Sequence, residues 1–300
     1  MRKEALFYQE EKGKVRCELC PHRCLIAKDH TGRCGVRECG EAAGGLKLFT
    51  LNYGEITSIS LDPVKKKPLY HFFPDKNILS IGTFGCNFKC SFCQNYSISQ
   101  HKAGSEFISA DRMAEISLEQ NSSIGLAFTY NEPSIWYEYV VDVARKLKER
   151  ESQHKIVLVS NGYISEEPLR QLLRYVDAMN IDLKGDEDFY ESICGGKLEP
   201  VKETIKTARA VGCHIEVATL LIPGGNTGIE TITRLADFLA SVDRNIVLHL
   251  SRYFPRYRMN KPKTSLEDMK NAYRLAKARL NNVYAGNVED WELEYIYGGG

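Results

Sequence analysis

The chain has 300 residues, of which 43% are hydrophobic and 26% charged, and this composition allows a globular protein with a sizeable buried core. Its 40 Lys and Arg against 39 Asp and Glu give a net charge of +1, which excludes a bulk electrostatic attraction to nucleic acid or to an anionic membrane. The sequence has no long apolar run, and residues 1–14 are too polar for a signal peptide, so we predict a cytoplasmic protein with neither a nucleic-acid nor a membrane partner.

The amino-terminal part of the chain, residues 1–75, carries five of the ten cysteines and is predicted to be a small cysteine-rich, metal-binding module. Cys17, Cys20 and Cys24 are separated by two and three residues, and Cys34 completes a set of four. Four thiolates can close a structural zinc site or hold an auxiliary iron-sulfur cluster, and a metal-free structural role is the third alternative. We expect the fifth cysteine of the module to be spare.

From residue 76 to residue 290, short apolar runs alternate with amphipathic segments, which is typical of repeated βα units around a parallel sheet. The predicted strands are 78–81, 124–129, 156–160, 178–182, 214–222 and 246–250, with a further short strand at 282–285. The predicted helices are 109–120, 134–150, 166–175, 201–211, 229–240 and 265–280. The fold class is therefore α/β, with a partial or full parallel (β/α) barrel of about six strands, and residues 291–300 form a short tail.

The unusual residues of the chain follow these predicted strands. GCNFKCSFC comes after the first strand, TYNEP after the second, SNG after the third and IPGG after the fifth, while NIDLKG and HLSRYFP lie at the ends of the fourth and sixth. In a parallel barrel the carboxyl ends of all strands open on one face, so these segments should converge there. We therefore expect the active site on that face.

Cys86, Cys90 and Cys93 lie in the loop directly after the first of these strands. Structural zinc sites and ferredoxin-type clusters usually have four protein ligands, whereas this group supplies three. A [4Fe-4S] cluster held by three thiolates keeps one iron free of protein ligands, just as a catalytic metal site keeps an open position. A structural zinc group is the alternative interpretation.

The C-x3-C-x2-C spacing, with the aromatic Phe92 before the last cysteine, resembles the signature of the radical S-adenosylmethionine (SAM) superfamily. The resemblance implies that SAM chelates the open iron of a [4Fe-4S] cluster on Cys86, Cys90 and Cys93. It also implies that the reduced cluster cleaves SAM to methionine and a 5'-deoxyadenosyl radical, which abstracts hydrogen from the substrate. The protein would bind, orient and shield these groups.

The other strand ends resemble SAM-contacting motifs of the same superfamily. TYNEP occupies the place of a Gly-Gly-Glu-Pro motif, with Tyr130 and Asn131 in place of the glycines. Asp182 and Lys184 share one face of a strand and resemble the DLK motif of glycyl-radical activating enzymes. These resemblances imply SAM contacts from Phe92, Asn131, Glu132, Ser160, Asn161, Asp182, Lys184 and His249. No catalytic side chain is assigned.

Three longer stretches, CELCPHRC with GRCGVR, LDPVKKKPLYHF and SIGTFGCNFKCSFCQN, resemble the pyruvate formate-lyase-activating-enzyme-like branch, in particular its AmmeMemoRadiSam members. The resemblance implies a low-potential electron donor such as flavodoxin or ferredoxin. It also implies either a protein substrate, as for glycyl-radical activases, or a small molecule, together with a Memo-like or AMMECR-like partner. The alternative function is a non-catalytic iron-sulfur or zinc protein acting in electron transfer or assembly.

Overall fold

An eight-stranded sheet forms the centre of the computed structural model, which describes residues 2–298. Its strands are β1 Ser58–Pro63, β2 Asn77–Gly82, β3 Ser123–Phe128, β4 Lys155–Ser160, β5 Ala178–Asp182, β6 His214–Leu221, β7 Val247–Arg252 and β8 Asn282–Gly286. They lie side by side in sequence order. β1 pairs antiparallel with β2, and the other neighbours pair in parallel. β1 and β8 do not pair with each other among the described residues, so the sheet is a partial barrel.

Helices follow the parallel strands along the chain. They are α1 Ala110–Glu119, α2 Tyr137–Arg150, α3 Glu166–Leu172, α4 Leu198–Ala210, α5 Ile229–Val242, α6 Leu266–Lys277 and α7 Asp290–Tyr297. Shorter turns of helix are Val64–Lys66, Tyr96–Ser99, Pro133–Trp136, Glu187–Phe189 and the π-helical Tyr190–Cys194. Within residues 2–298, no helix combines the length and the apolar character that crossing a membrane requires.

Helix α2 shows why these segments are helical and how they pack. Tyr139, Val143 and Leu147 recur every four residues and are fully buried, so one apolar stripe of the helix is turned away from solvent. Burying an aliphatic side chain of this kind contributes roughly 1.5–3 kcal/mol. The 3-10 turn before α2 starts with Pro133, which lacks a backbone N–H and suits the first position of a helical segment.

The amino-terminal residues form small antiparallel sheets beside the central sheet. One contains Lys3–Glu4, Gly45–Thr50 and Arg37–Ala42, another contains Tyr8–Glu11, Lys14–Cys17 and Leu25–Ile26, and Glu55–Ile56 pairs with Glu106–Phe107. A buried ion pair joins this region to α2, because Arg37 donates from one nitrogen to both carboxylate oxygens of Glu138, at 2.9 and 2.8 Å.

The predicted α/β class and partial barrel are confirmed. Each predicted strand is present within two residues of its expected bounds, and each predicted helix within three. The structure adds β1 to the sheet, although the prediction assigned all residues up to 75 to the cysteine-rich module, and the division at residue 75 stays a prediction. Helix α7 occupies much of the predicted tail, whose last two residues, like Met1, lie outside the described residues.

Candidate active site

A cavity of about 420 Å³ lies at the carboxyl ends of the parallel strands, within the roughly 300–1,000 Å³ range of small-molecule sites. The end of β5, the segment after β3 and the loop after β2 all contribute to its wall. The cavity brings together ten of the eleven residues predicted for the central site: Cys86, Cys90, Phe92, Cys93, Asn131, Glu132, Ser160, Asn161, Asp182 and Lys184.

The loop after β2 carries the three cysteines and turns sharply at Gly85. Gly85 has φ +90°, and a Cβ there would lie 2.6 Å from Val36, so only glycine fits this position. The backbone N–H of Phe88 donates to the Cys86 sulfur at 3.4 Å, and the Asn161 side-chain amide donates to the same sulfur at 3.8 Å. Both donors would stabilise a thiolate at Cys86.

Without a bound cation, all three cysteines of this loop favour the neutral thiol. Burial raises the pKa of Cys86, and the Glu132 carboxylate raises it further. A hydrogen bond with Cys194, together with burial, raises the pKa of Cys90, and burial raises that of Cys93. No three His, Cys, Asp or Glu side chains in residues 2–298 are grouped closely enough to hold one metal ion. In a [4Fe-4S] cluster each thiolate binds a different iron, so its three sulfurs need not meet at one point.

Tyr130 and Asn131 stand where the resemblance predicts two glycines. Tyr130 has φ +70°, a left-handed conformation that costs a non-glycine residue about 1–2 kcal/mol. Its hydroxyl donates to Asp62 at 2.8 Å. Asn131 accepts from the backbone N–H of Thr83 at 3.1 Å and donates to the carbonyl of Gly85 at 3.0 Å. Tyr130 therefore adopts a backbone conformation that glycine favours. The Asn131 side chain holds the cysteine loop in place through its two hydrogen bonds.

Glu132 connects the segment after β3 to the segment after β4. It is buried, and its carboxylate accepts from the Ser160 hydroxyl at 2.8 Å and from the backbone N–H of Asn161 at 2.7 Å. Burial raises the pKa of Glu132 even though these hydrogen bonds oppose the rise. Asn161 in turn donates to Asn87 of the cysteine loop at 2.8 Å. Glu132 thus positions the wall of the cavity in addition to lining it.

Asp182 and Lys184 form an ion pair at the cavity wall. The Lys184 ammonium donates to Asp182 at 2.6 Å and lies 5.8 Å from the centre of the Phe92 ring. Burial alone would lower the pKa of Lys184, but the negative charge of Asp182 and its hydrogen bond hold it well above its usual value. The site therefore keeps a fixed positive charge that can attract a carboxylate or a thiolate-bound cluster.

His249 is the one predicted contact that the structure does not bring to the cavity. It is buried and donates to Glu216 at 2.7 Å. Glu216 also accepts from the backbone N–H groups of Tyr70 and His71, at 2.8 and 2.7 Å. Ser251, two residues further along β7 on the same face, lines the cavity instead. A SAM contact from His249 therefore stays a prediction.

Lys67 is a cavity residue that the sequence analysis missed. It is only 3% exposed, its ammonium donates to Asp62 at 2.7 Å, and it lies 4.8 Å from the centre of the Tyr130 ring. The run of three lysines in LDPVKKKPLYHF was the available signal, but a run of charges does not show which member turns inward.

A second, much smaller pocket of about 10 Å³ adjoins the cysteine loop at Asn87. It is lined by all four cysteines of the predicted amino-terminal set, Cys17, Cys20, Cys24 and Cys34. The fold therefore gathers the two groups of cysteines in two separate places.

Comparison with known proteins gives consistent matches. The sequence profile of the Radical SAM superfamily matches residues 80–239. The uncharacterized protein MJ0808 of Methanocaldococcus jannaschii is 38% identical over 98% of this chain and 88% of its own length. GTP 3',8-cyclase of Peptoclostridium acidaminophilum is 28% identical over 61% of this chain and 56% of the cyclase. MJ1632 of M. jannaschii, whose name assigns it provisionally to the glycyl-radical enzyme activating enzymes, is 28% identical over 55% of this chain and 64% of its own length.

Among solved structures, SuiB of Streptococcus suis bound to its precursor peptide SuiA superposes with a TM-score of 0.53. The two chains are 17% identical, and the match covers 79% of this chain and 57% of SuiB. At this identity the likeness concerns the fold alone.

Proposed function

The chain belongs to the radical SAM superfamily, and on that premise we propose that it is a hydrogen-abstracting enzyme, similar to activating enzymes, that acts on a polypeptide. A [4Fe-4S] cluster and SAM are the cofactors of this superfamily. When bound, the reduced cluster supplies the electron that cleaves SAM to methionine and a 5'-deoxyadenosyl radical, which takes hydrogen from the substrate. The residues of the chain bind, orient and shield these groups.

In this proposal Cys86, Cys90 and Cys93 hold the cluster. Their loop faces the cavity, and the Phe88 N–H offers a hydrogen bond to the first sulfur at 3.4 Å. The charge of Lys184 lies close enough to Cys90 to favour its thiolate form. The donor set of three soft thiols beside a fixed cation therefore suits a cluster with one open iron.

The polar wall of the same cavity would orient SAM. The Lys184 ammonium is a charged donor for the SAM carboxylate, and Asp182 is an acceptor for a ribose hydroxyl. Asn161 and Ser160 are held in place by Glu132, so their positions are fixed before SAM arrives. Phe92 gives the wall an apolar face.

The size of the cavity is compatible with a polypeptide substrate. A volume of about 420 Å³ suits one ligand of the size of SAM, and a substrate can present its reacting group at the mouth. A flexible segment of a protein can do this without entering whole. The provisional name of MJ1632 points in the same direction. An external low-potential donor, such as flavodoxin or ferredoxin, would reduce the cluster.

The observation that carries the proposal is the convergence of ten predicted residues, from four separate segments of the chain, on one cavity. A non-catalytic electron-transfer or assembly protein would need only the ligands of its metal or cluster. It would have no use for Glu132, Asp182 and Lys184 on the neighbouring strand ends.

Reductive cleavage of SAM tests the enzyme activity. The protein is reconstituted with iron and sulfide under anaerobic conditions and given dithionite and SAM, and 5'-deoxyadenosine is measured by mass spectrometry. We expect product from the wild type and none from the variant C86A/C90A/C93A. Intact SAM after incubation with the iron-loaded wild type would rule out the proposed function.

Deuterium transfer tests the substrate class. A uniformly deuterated cell extract is separated into macromolecules and small molecules, and each fraction is added to the reaction. We expect deuterium in 5'-deoxyadenosine from the macromolecular fraction, and protease treatment of that fraction should abolish the transfer. Deuterium transfer from the small-molecule fraction alone would contradict the polypeptide substrate while leaving the radical chemistry intact.

A further inference from the structure

The pocket that we call the thiol pocket, lined by Cys17, Cys20, Cys24 and Cys34, is separate from the active-site cavity. Its walls bring together residues that lie on either side of the strand Leu25–Ile26. The structure contains no disulfide between these cysteines. Four reduced thiols around one enclosed space are the donor set of a thiophilic metal ion.

Backbone hydrogen bonds shape the chain around the thiol pocket. The N–H of Cys17 donates to the carbonyl of Cys24 at 2.9 Å, and the N–H of Arg23 donates to the carbonyl of Cys20 at 3.0 Å. Gly32 lies beside this turn, since a Cβ there would meet Ile26 at 3.1 Å and would be in ordinary contact with the Cys24 sulfur at 3.5 Å. These contacts fold the first three cysteines into a tight turn that faces the fourth.

A buried arginine at the thiol pocket is a second, independent indication of a metal site. Arg37 lines the thiol pocket and is 1% exposed, and its Nε–H is buried without a hydrogen-bond partner among the described residues. The other guanidinium nitrogens of Arg37 donate to Glu138 and to the carbonyl of Leu6. Arg33, which is exposed, borders the pocket as well. A divalent ion with four thiolates carries a net charge of −2, and a thiolate sulfur would accept the unpaired Nε–H of Arg37.

We infer that the thiol pocket binds one structural Zn²⁺ ion through Cys17, Cys20, Cys24 and Cys34. The space of about 10 Å³ is that of a single water-sized particle, which suits one ion. The four side chains line the pocket without meeting at one point, since no three possible ligands among residues 2–298 are grouped closely enough to hold an ion. Rotation of the thiols about their Cα–Cβ bonds is therefore part of binding.

The zinc site would also support the active-site loop. Asn87 lies between Cys86 and Cys90 in sequence and lines the thiol pocket. Its carbonyl oxygen lies 2.9 Å from the Nε2 of His22, which is a residue of the turn that carries Cys20 and Cys24. The amino-terminal module thus contacts the loop of the central cysteines at Asn87.

Metal analysis of three full-length variants tests the inference without using enzyme activity. In C86A/C90A/C93A, which lacks the central cysteines, we expect about one zinc per chain. Adding C34A should lower zinc binding at least about tenfold. Adding C39A instead is the matched control, because Cys39 is a buried cysteine of the same module that does not line the pocket, and zinc should be retained.

Cobalt(II) substitution and circular dichroism complete the experiment. The cobalt-loaded C86A/C90A/C93A variant should show the visible bands of a tetrahedral tetrathiolate site, and these should disappear with C34A but not with C39A. Circular dichroism must show that the protein is folded. Folded protein that lacks zinc, that keeps zinc after C34A, or that holds iron and sulfide in this pocket would overturn the inference, whatever the outcome for SAM cleavage.

Discussion

Each of the three cysteines of the active-site loop has a different environment. The Cys86 sulfur accepts from the N–H of Phe88, Cys90 hydrogen-bonds with Cys194, and burial dominates around Cys93. All three belong to one loop, which the side chain of Asn131 and the turn at Gly85 hold independently of the sulfurs. Removing one sulfur should therefore change ligation far more than folding.

We predict that Cys90→Ala abolishes cluster binding and leaves the fold intact. One iron would lose its only protein ligand, so the cluster should not form. The fold should persist because the Cys90 side chain lines the cavity and its removal takes away a single sulfur atom. Iron and sulfide content after anaerobic reconstitution measures the effect, and thermal unfolding checks the fold. Cys213→Ala is the matched control, since Cys213 is buried away from the cavity and should not alter iron content. Full iron occupancy in the Cys90 variant would show that the ligands are misassigned.

Lys184→Met should weaken SAM binding by roughly 10- to 150-fold, because a hydrogen bond to a charged group contributes about 1.5–3 kcal/mol. Equilibrium dialysis of the iron-loaded protein with labelled SAM measures the affinity. Lys206→Met, on the exposed surface of α4, should leave the affinity unchanged. Equal affinities of the two variants at equal iron content would remove Lys184 from the SAM site.

Most of the residues that line the cavity could be predicted from the sequence, but how far the cavity extends along the strands could not. Asp182 and Lys184 were found because alternate strand residues share a face, and a strand end marks the mouth of the barrel. His249 fits the same rule, yet its side chain hydrogen-bonds to Glu216 and does not line the cavity. Alternation along a strand predicts which face a side chain is on, but not how far along the strand axis the cavity extends. Lys67 was missed because its inward position depends on Asp62, a partner on an edge strand.

At the level of the elements, a buried ion pair helps to fasten the amino-terminal region to α2. Glu138 accepts twice from Arg37 and once from the N–H of Leu6, and both charged side chains are buried. We predict that Glu138→Ala lowers the free energy of unfolding by about 3–5 kcal/mol, because it leaves a buried guanidinium unpaired.

Chemical denaturation measures this loss of stability. Glu149→Ala is the control on the same helix, since its pair with Arg145 is exposed and should contribute at most about 1 kcal/mol. Similar stabilities of the two variants would show that the buried ion pair does not hold the amino-terminal region on α2.

Glu216 fastens the segment before β2 to β6 and β7, and this attachment should depend on pH. Burial alone would raise its pKa, but hydrogen bonds from two histidines and two backbone N–H groups lower it from 4.5 to about 2. The carboxylate therefore stabilises the fold above its unfolded pKa, and this contribution, roughly 3 kcal/mol, is lost as the pH falls from about 5 to about 2.

Glu216→Gln should flatten the pH dependence of the unfolding free energy in that window, as measured by denaturation at several pH values. Glu230→Gln, at an exposed position of α5, should leave the pH dependence unchanged. An acid transition that is equally steep in the Glu216 variant and in the wild type would contradict this role.

The sequence predicted the elements of the core better than those at its edges. Parallel strands such as β4 and β5 are buried on both faces, so their apolar runs are unbroken and easily found. β1 is an edge strand with mostly exposed side chains, and its place in the sheet depends on pairing with β2. Helix α7 is fixed by a buried ion pair between Glu292 and Arg252, a contact across 40 positions that has no local signature.

At the scale of the whole molecule, the two groups of cysteines line two separate spaces, and residues of the loop after β2 border both. The three central cysteines face a cavity of about 420 Å³, and the four amino-terminal cysteines surround a pocket of about 10 Å³. The proposed roles differ accordingly, with the cluster and SAM in the larger space and a structural ion in the smaller one. The partial barrel makes this possible because it aligns all parallel strand ends with the cavity.

The binding of SAM to an iron that lacks a protein ligand can be measured directly by electron-nuclear double resonance. The reduced, cluster-loaded protein is mixed with SAM labelled with oxygen-17 in its carboxylate. We predict a coupling between the label and the cluster, which C86A/C90A/C93A cannot show because it holds no cluster. Cluster-loaded wild type that shows no coupling, or whose fourth iron carries a permanent side-chain ligand, would contradict a SAM-binding role for the cavity.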